Sequence, residues 1–66
     1  MPKLHSSRYI ISVLEKNGFC FVSQKGSHVK MRKDSFTVIV PANKRSVFVG
    51  TFKSILRQSG LTEDMF

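Results

Sequence analysis

The stretch Gln24-Lys25-Gly26-Ser27-His28-Val29-Lys30-Met31-Arg32 decides how the chain is read. From Val29 onward apolar and basic residues alternate, and successive strand side chains point to opposite faces. With Val29 and Met31 turned to a core, His28, Lys30 and Arg32 share the other face. Lys25-Gly26 supplies the turn before them, so the strand covers about residues 27–33. A proton-transfer side chain therefore stands in line with two cations.

Upstream, Phe19-Cys20-Phe21-Val22-Ser23 is a short apolar, β-branched run and reads as a first strand. Ahead of it Ile10, Val13, Leu14 and Asn17 recur at helical spacing, with Ser12, Glu15 and Lys16 on the other side, which predicts a helix over 6–17. Ser6 or Ser7 suits its N-cap, and Asn17-Gly18 is a stop signal. Residues 1–5 form a short basic tail. Downstream, Lys33-Asp34-Ser35 is turn chemistry, Phe36-Thr37-Val38-Ile39-Val40 reads as a third strand, and Pro41 ends it. Residues 41–50 form a basic loop carrying Asn43, Lys44 and Arg45, with Val47-Phe48-Val49 packing back on the core. Gly50-Thr51 opens a second helix with Thr51 as N-cap. Phe52, Ile55 and Leu56 make its buried stripe, with Lys53 and Arg57 on the exposed side. Gly60 ends that helix, Leu61 supplies the apolar contact of such a cap, and Thr62 starts a last single turn.

The order is helix, three antiparallel strands, helix, an α+β chain. Both helices have one apolar stripe, so both pack on one face of the sheet and leave the other wet. The wet face carries His28, Lys30 and Arg32.

At 66 residues the chain reads as one domain, residues 1–66. A chain this short buries only about 60% of its unfolded surface, so any site is shallow and suits a polymer. Six phenylalanines and no tryptophan predict a core of Phe, Ile, Leu and Val. The net charge is +7, and residues 3–57 carry all 11 basic residues against only Glu15 and Asp34. That is the electrostatic footprint of a nucleic-acid binder, and the plainer readings are a solubility surface or a surface for an acidic protein partner. Cys20 is the one cysteine, so no internal disulfide forms, and the chain is expected in the cytoplasm. Between Phe19 and Phe21 it reads as a small buried hydrophobe. No stretch approaches the roughly 18 apolar residues of a membrane helix, and no signal peptide opens the chain.

Imidazole takes and gives protons near neutral pH. RNA carries its own nucleophile, the 2′-hydroxyl, beside each phosphate. A base that removes its proton starts in-line attack, and a cation stabilises the charge that builds on phosphorus. That route needs no metal and no cofactor. The plainer reading of His28 is a surface strand histidine with no chemistry. A metal site is poorly supported, since there are two histidines, one cysteine and no clustered carboxylates. Ser27 has no evident Asp-His relay. Lys25 and Gly26 serve either a phosphate approaching exposed amides or simply a turn. Lys30 with Arg32, and Lys53 with Arg57, are either phosphate contacts or solvated faces.

Asn17-Gly18-Phe19, Gln24-Lys25-Gly26-Ser27-His28, Val40-Pro41 and the run Gly50-Thr51-Phe52-Lys53-Ser54-Ile55-Leu56-Arg57-Gln58-Ser59-Gly60-Leu61 together resemble the HicA toxin family. The resemblance runs from residue 6 to 66. It implies a double-stranded-RNA-binding-domain-like fold, a three-stranded antiparallel sheet backed by two helices. It implies an mRNA interferase, a metal-independent endoribonuclease that cuts transcripts and blocks translation, with His28 at the family's catalytic position. It also implies a HicB-type antitoxin partner that covers the site. Lys25, Gly26, Ser27, Lys30, Arg32, Asn43, Lys44 and Arg45 are the expected RNA-binding residues. One departure stands out. Many members carry a second histidine shortly after the Val-Pro pair, where this chain has Asn43, which cannot exchange protons near pH 7. The competing function is a non-catalytic basic RNA-binding module of the same fold. A third is an interaction subunit whose basic face meets an acidic protein.

Overall fold

The computed structural model describes residues 4–66. Helix α1 (Ser7–Lys16) starts at Ser6, whose hydroxyl accepts from the Tyr9 amide at 3.1 Å. Ile10, Val13 and Leu14 are buried. Asn17 serves the helix end and not the core stripe: it is the C-cap, and its side-chain amide donates to the Val13 carbonyl at 2.8 Å.

Strands β1 (Cys20–Lys25), β2 (His28–Lys33) and β3 (Phe36–Pro41) form one antiparallel sheet in the order β1-β2-β3. The first strand lies later than expected, because pairing continues until Lys25 stands opposite His28. The turn is thus Gly26-Ser27. Gly26 holds φ 57° with open space where a Cβ would go, so the dihedral and not crowding requires glycine. Within β1, Phe21 pairs with Met31 but Ser23 pairs with Lys30. Val22 is therefore the extra residue of a β-bulge. It keeps Phe21 on the helix side with Met31 while placing Ser23 and Lys25 on the opposite face with Lys30 and His28.

Helix α2 (Val49–Ser59) begins earlier than Thr51, which lies inside it. Its N-cap is Phe48, whose carbonyl accepts from the Phe52 amide at 2.9 Å. Gly60 closes the helix at φ 72°, and Leu61 packs against the core beyond it. A single 3-10 turn, Glu63–Met65, follows Thr62.

The core lies between the sheet and the helices, where Met31, Val38 and Val40 meet Ile10, Leu14 and Ile55. Both helices pack chiefly over β3. The core is built from Phe, Ile, Leu and Val as expected, with Met31 and Ala42 added, but only some of the phenylalanines enter it. Phe19 and Phe52 are buried, but Phe21 on the far edge strand is 58% exposed and Phe36 is also exposed. Cys20 is exposed rather than buried, because β1 continues its pairing with Cys20 opposite Arg32 on the wet face. Of Val47-Phe48-Val49 only Val47 packs inward; Phe48 is 77% exposed.

Candidate active site

The wet face of the sheet is a grid fixed by register. Lys25, His28 and Pro41 form one row across β1, β2 and β3; Ser23, Lys30 and Ile39 form the next; Cys20, Arg32 and Thr37 the third. His28, Lys30 and Arg32 are exposed, while Val29 and Met31 between them are buried, as the alternation predicts. At about 3.3 Å per residue, Lys30 stands roughly 7 Å and Arg32 roughly 13 Å along the strand from His28. Lys25 is the cation directly opposite His28. The Arg32 Nε donates to the Asp34 carbonyl at 3.2 Å, which holds that guanidinium by the β2–β3 turn.

His28 also borders a groove of about 380 Å³ between the β3 edge and α2, together with Ile39, Pro41, Lys44, Ser46, Phe48, Thr51, Ser54 and Gln58. A specific contact ties the two walls together: the Ile39 amide, at the outer edge of β3, donates to the Gln58 Oε1 at 2.9 Å. Thr51, Ser54 and Gln58 follow one another at i, i+3 and i+7, a polar helical stripe beside the buried one of Phe52 and Ile55. That spacing is legible in the sequence, but uncharged side chains leave no mark in its charge pattern. Arg57 reaches the same wall, its Nη2 donating to the Ser54 Oγ at 2.9 Å. Lys53 does not, and lines a separate hollow with Leu4 and His5.

The basic loop is tied down by Ser7. Its amide donates to the Lys44 carbonyl at 2.9 Å, its hydroxyl donates to the Pro41 carbonyl at 2.5 Å and accepts from the Lys44 amide at 3.1 Å. The Ala42 amide donates to the Ser27 carbonyl at 2.6 Å, which joins the loop to the turn ahead of His28. Asn43, Lys44 and Arg45 are all exposed, but they are not one cluster with His28. Lys44 borders the His28 groove. Asn43 and Arg45 border a larger hollow of about 730 Å³ beside α1, with Arg8 and Glu15, and Lys44 lies on the rim of both. The larger hollow has the Glu15 carboxylate among its cations and no histidine, whereas the smaller groove has His28, so the smaller groove is the candidate site. Asn43 takes a left-handed conformation at φ 59°, a position that Asn tolerates better than most residues. Gly26 and Ser27 form the turn and border neither hollow. Among the described residues no three His, Cys, Asp or Glu side chains gather as metal ligands.

The family model described as HicA toxin of bacterial toxin-antitoxin matches residues 7–61, from the start of α1 to Leu61. The chain belongs to the HicA toxin family. It is thus a toxin of a toxin–antitoxin system, and the match encloses the whole wet face, the groove and the basic loop. A search of the curated proteins finds no match. No helix among the described residues of the toxin is long and apolar enough to cross a membrane.

Proposed function

We propose that the toxin is a metal-independent endoribonuclease, an mRNA interferase acting in the cytoplasm, with His28 as its proton-transfer group. The observation that carries this reading is the position of His28. It is exposed at the start of the central strand, opposite Lys25, at the mouth of a groove that Lys44 also borders. His28 removes the proton of a 2′-hydroxyl, the 2′-oxygen attacks the adjacent phosphorus in line, and the bond to the 5′-oxygen breaks. The products are a 2′,3′-cyclic phosphate and a 5′-hydroxyl. Lys25 and Lys44 stabilise the charge on the phosphoryl oxygens. Lys30 and Arg32, one and two rows away, hold neighbouring phosphates. Asn43 cannot serve as the acid, so the leaving oxygen takes its proton from Lys25 or from water. Two things support a route without metal: the substrate supplies its own nucleophile, and Lys25 and Lys44 already stand beside His28 to meet the charge on the phosphoryl oxygens.

The partner that restrains this site is a HicB-type antitoxin. It buries the His28 face and sets acidic residues against Lys30 and Arg32. A complex that left His28 open to solvent would require inhibition at a distance.

The test is RNA cleavage in EDTA by the native chain and by His28→Ala purified identically. Cleavage by the native chain alone, absent when the substrate is 2′-O-methylated, is the expected result. Equal cleavage by both chains removes His28 from the mechanism. RNA bound but cut by neither chain makes the toxin a non-catalytic RNA-binding module.

A further inference from the structure

We propose that Phe48 is a stacking platform for one unpaired base of an RNA strand held in the His28 groove, an inference that rests on the ribonuclease reading and extends it. At 77% exposure Phe48 is the most exposed large hydrophobic residue described. It is also held in place. The preceding Val47 is buried, with its amide donating to the His5 carbonyl at 2.8 Å, and the Phe48 carbonyl accepts from the Phe52 amide at 2.9 Å. The ring therefore projects from a fixed backbone at the start of a helix and not from a loose loop.

Two local preferences are broken at this one residue. A large apolar ring is left in water, and a helix N-cap, where Ser, Thr, Asp or Asn is favoured, carries a side chain that makes no capping bond. Rules broken together beside a candidate site point to function: burial of Val47 fixes where the helix starts, but it does not call for an aromatic ring at the next position.

The groove selects the occupant. Phe48 shares it with apolar Ile39, Pro41 and Val47 on one hand and with His28, Lys44 and the hydroxyls of Ser46, Thr51 and Ser54 on the other, a mixed lining that matches the flat apolar face of a base and the charge of its phosphate. That lining suits a nucleotide better than an apolar peptide. Its volume of about 380 Å³ is at the small end of ligand pockets, with room for one nucleotide and not for a helix. Every base has a π-face, and stacking on aromatic side chains is a recurrent way to hold single-stranded RNA. A base on Phe48 with its phosphate toward Lys44 fixes the ribose near His28, so the ring contributes to catalysis by orientation. The same contact sets a substrate class. Bases inside a duplex are already stacked, so the groove accepts single strands and rejects perfect duplex.

The chain has no tryptophan, so Phe48→Trp installs a lone fluorescent indole at this site. The probes are a 2′-O-methyl oligonucleotide, which lacks the nucleophile, an abasic strand with the same number of phosphates, and a perfect RNA duplex, all in EDTA. Saturable quenching by the base-bearing strand, absent with the abasic strand and the duplex, is expected. Phe48→Ala should weaken binding of the 2′-O-methyl strand about tenfold, and Phe48→Tyr should retain it. Equal quenching by the abasic strand, or native affinity in Phe48→Ala, overturns the proposal. So does a Phe48→Ala chain that cuts RNA normally but escapes its antitoxin, since the ring then belongs to the protein partner. Base-dependent quenching with no RNA cleavage by the native chain keeps the platform and removes the catalytic reading. Normal cleavage without base-dependent quenching does the reverse.

Discussion

Ser7 is only 3% exposed, and its three hydrogen bonds to Pro41 and Lys44 carry the basic loop to its place beside the sheet. Ser7→Ala keeps the amide bond but leaves the Pro41 carbonyl and the Lys44 amide without their hydroxyl partner. The expected loss of stability is about 1–3 kcal/mol, read by urea denaturation. A change within experimental error would mean that water replaces the hydroxyl and that the loop is held by other contacts. His28 is the opposite case. Its side chain is exposed on the wet face and supports nothing in the core, so His28→Ala should shift stability by no more than about 0.5 kcal/mol. A thermal melt that collapsed in this variant would turn the cleavage test into a folding test. At this scale the sequence was informative about His28, because a period of two places it without reference to any other strand. It was silent about Asn43, whose left-handed backbone and position beside α1 depend on how the loop is tied to Ser7.

Among the elements, α2 has two duties. Phe52 and Ile55 close the core while Thr51, Ser54 and Gln58 form the wall of the groove. Phe52→Ala should destabilise the toxin by about 3–5 kcal/mol, whereas a loss under about 1 kcal/mol would place the ring at the surface. The end of the helix is equally constrained. Gly60 has φ 72°, and a Cβ there would come within 3.2 Å of the Phe36 ring. Gly60→Ala should therefore cost about 1–2 kcal/mol from the backbone alone, with a further penalty if Phe36 cannot shift. Calorimetry of Gly60→Ala and of the double variant with Phe36→Leu separates the two contributions: relief in the double variant measures the clash. The helices and β3 were legible because their apolar spacing and stop signals agree. The boundaries of β1 were not, since a bulge interrupts the period of two, and no local signal distinguishes Val22 as the extra residue. The N-cap of α2 was missed for a related reason. Thr51 has the better capping side chain, but burial of Val47 fixes where the helix starts.

For the whole molecule, the net charge of +7 pointed to a polyanion without indicating a face. The fold divides the cations. Lys25, Lys30 and Arg32 lie on the wet face, Lys44 on the rim of both hollows, and Arg8 and Arg45 beside α1. If Lys25, Lys30, Arg32 and Lys44 each neutralise one phosphate of a single strand, log K should fall with log salt at a slope of about −3, near −0.7 for each contact. Lys30→Gln should reduce that slope by about 0.7. Lys53→Gln should leave it unchanged, since Lys53 lies by a different hollow. A slope that ignored Lys30→Gln and responded to Lys53→Gln would move the RNA path off the sheet.

The pairing of β2 on both of its edges also limits how this toxin can change over generations. The segment between Cys20 and Pro41 works as a counted frame, in which two-residue turns and one bulge decide which side chains face water. Loss of Val22 only removes the bulge and leaves Phe21 opposite Met31 and Lys25 opposite His28, whereas a deletion inside β2 turns His28 to the other face or slips it against both neighbouring strands. Letters in β2 can be exchanged, but their number cannot. A lineage can therefore retune the charges around His28 by point substitution, whereas a gain or loss of one codon there leaves a chain that still folds in part and has its histidine on the wrong side.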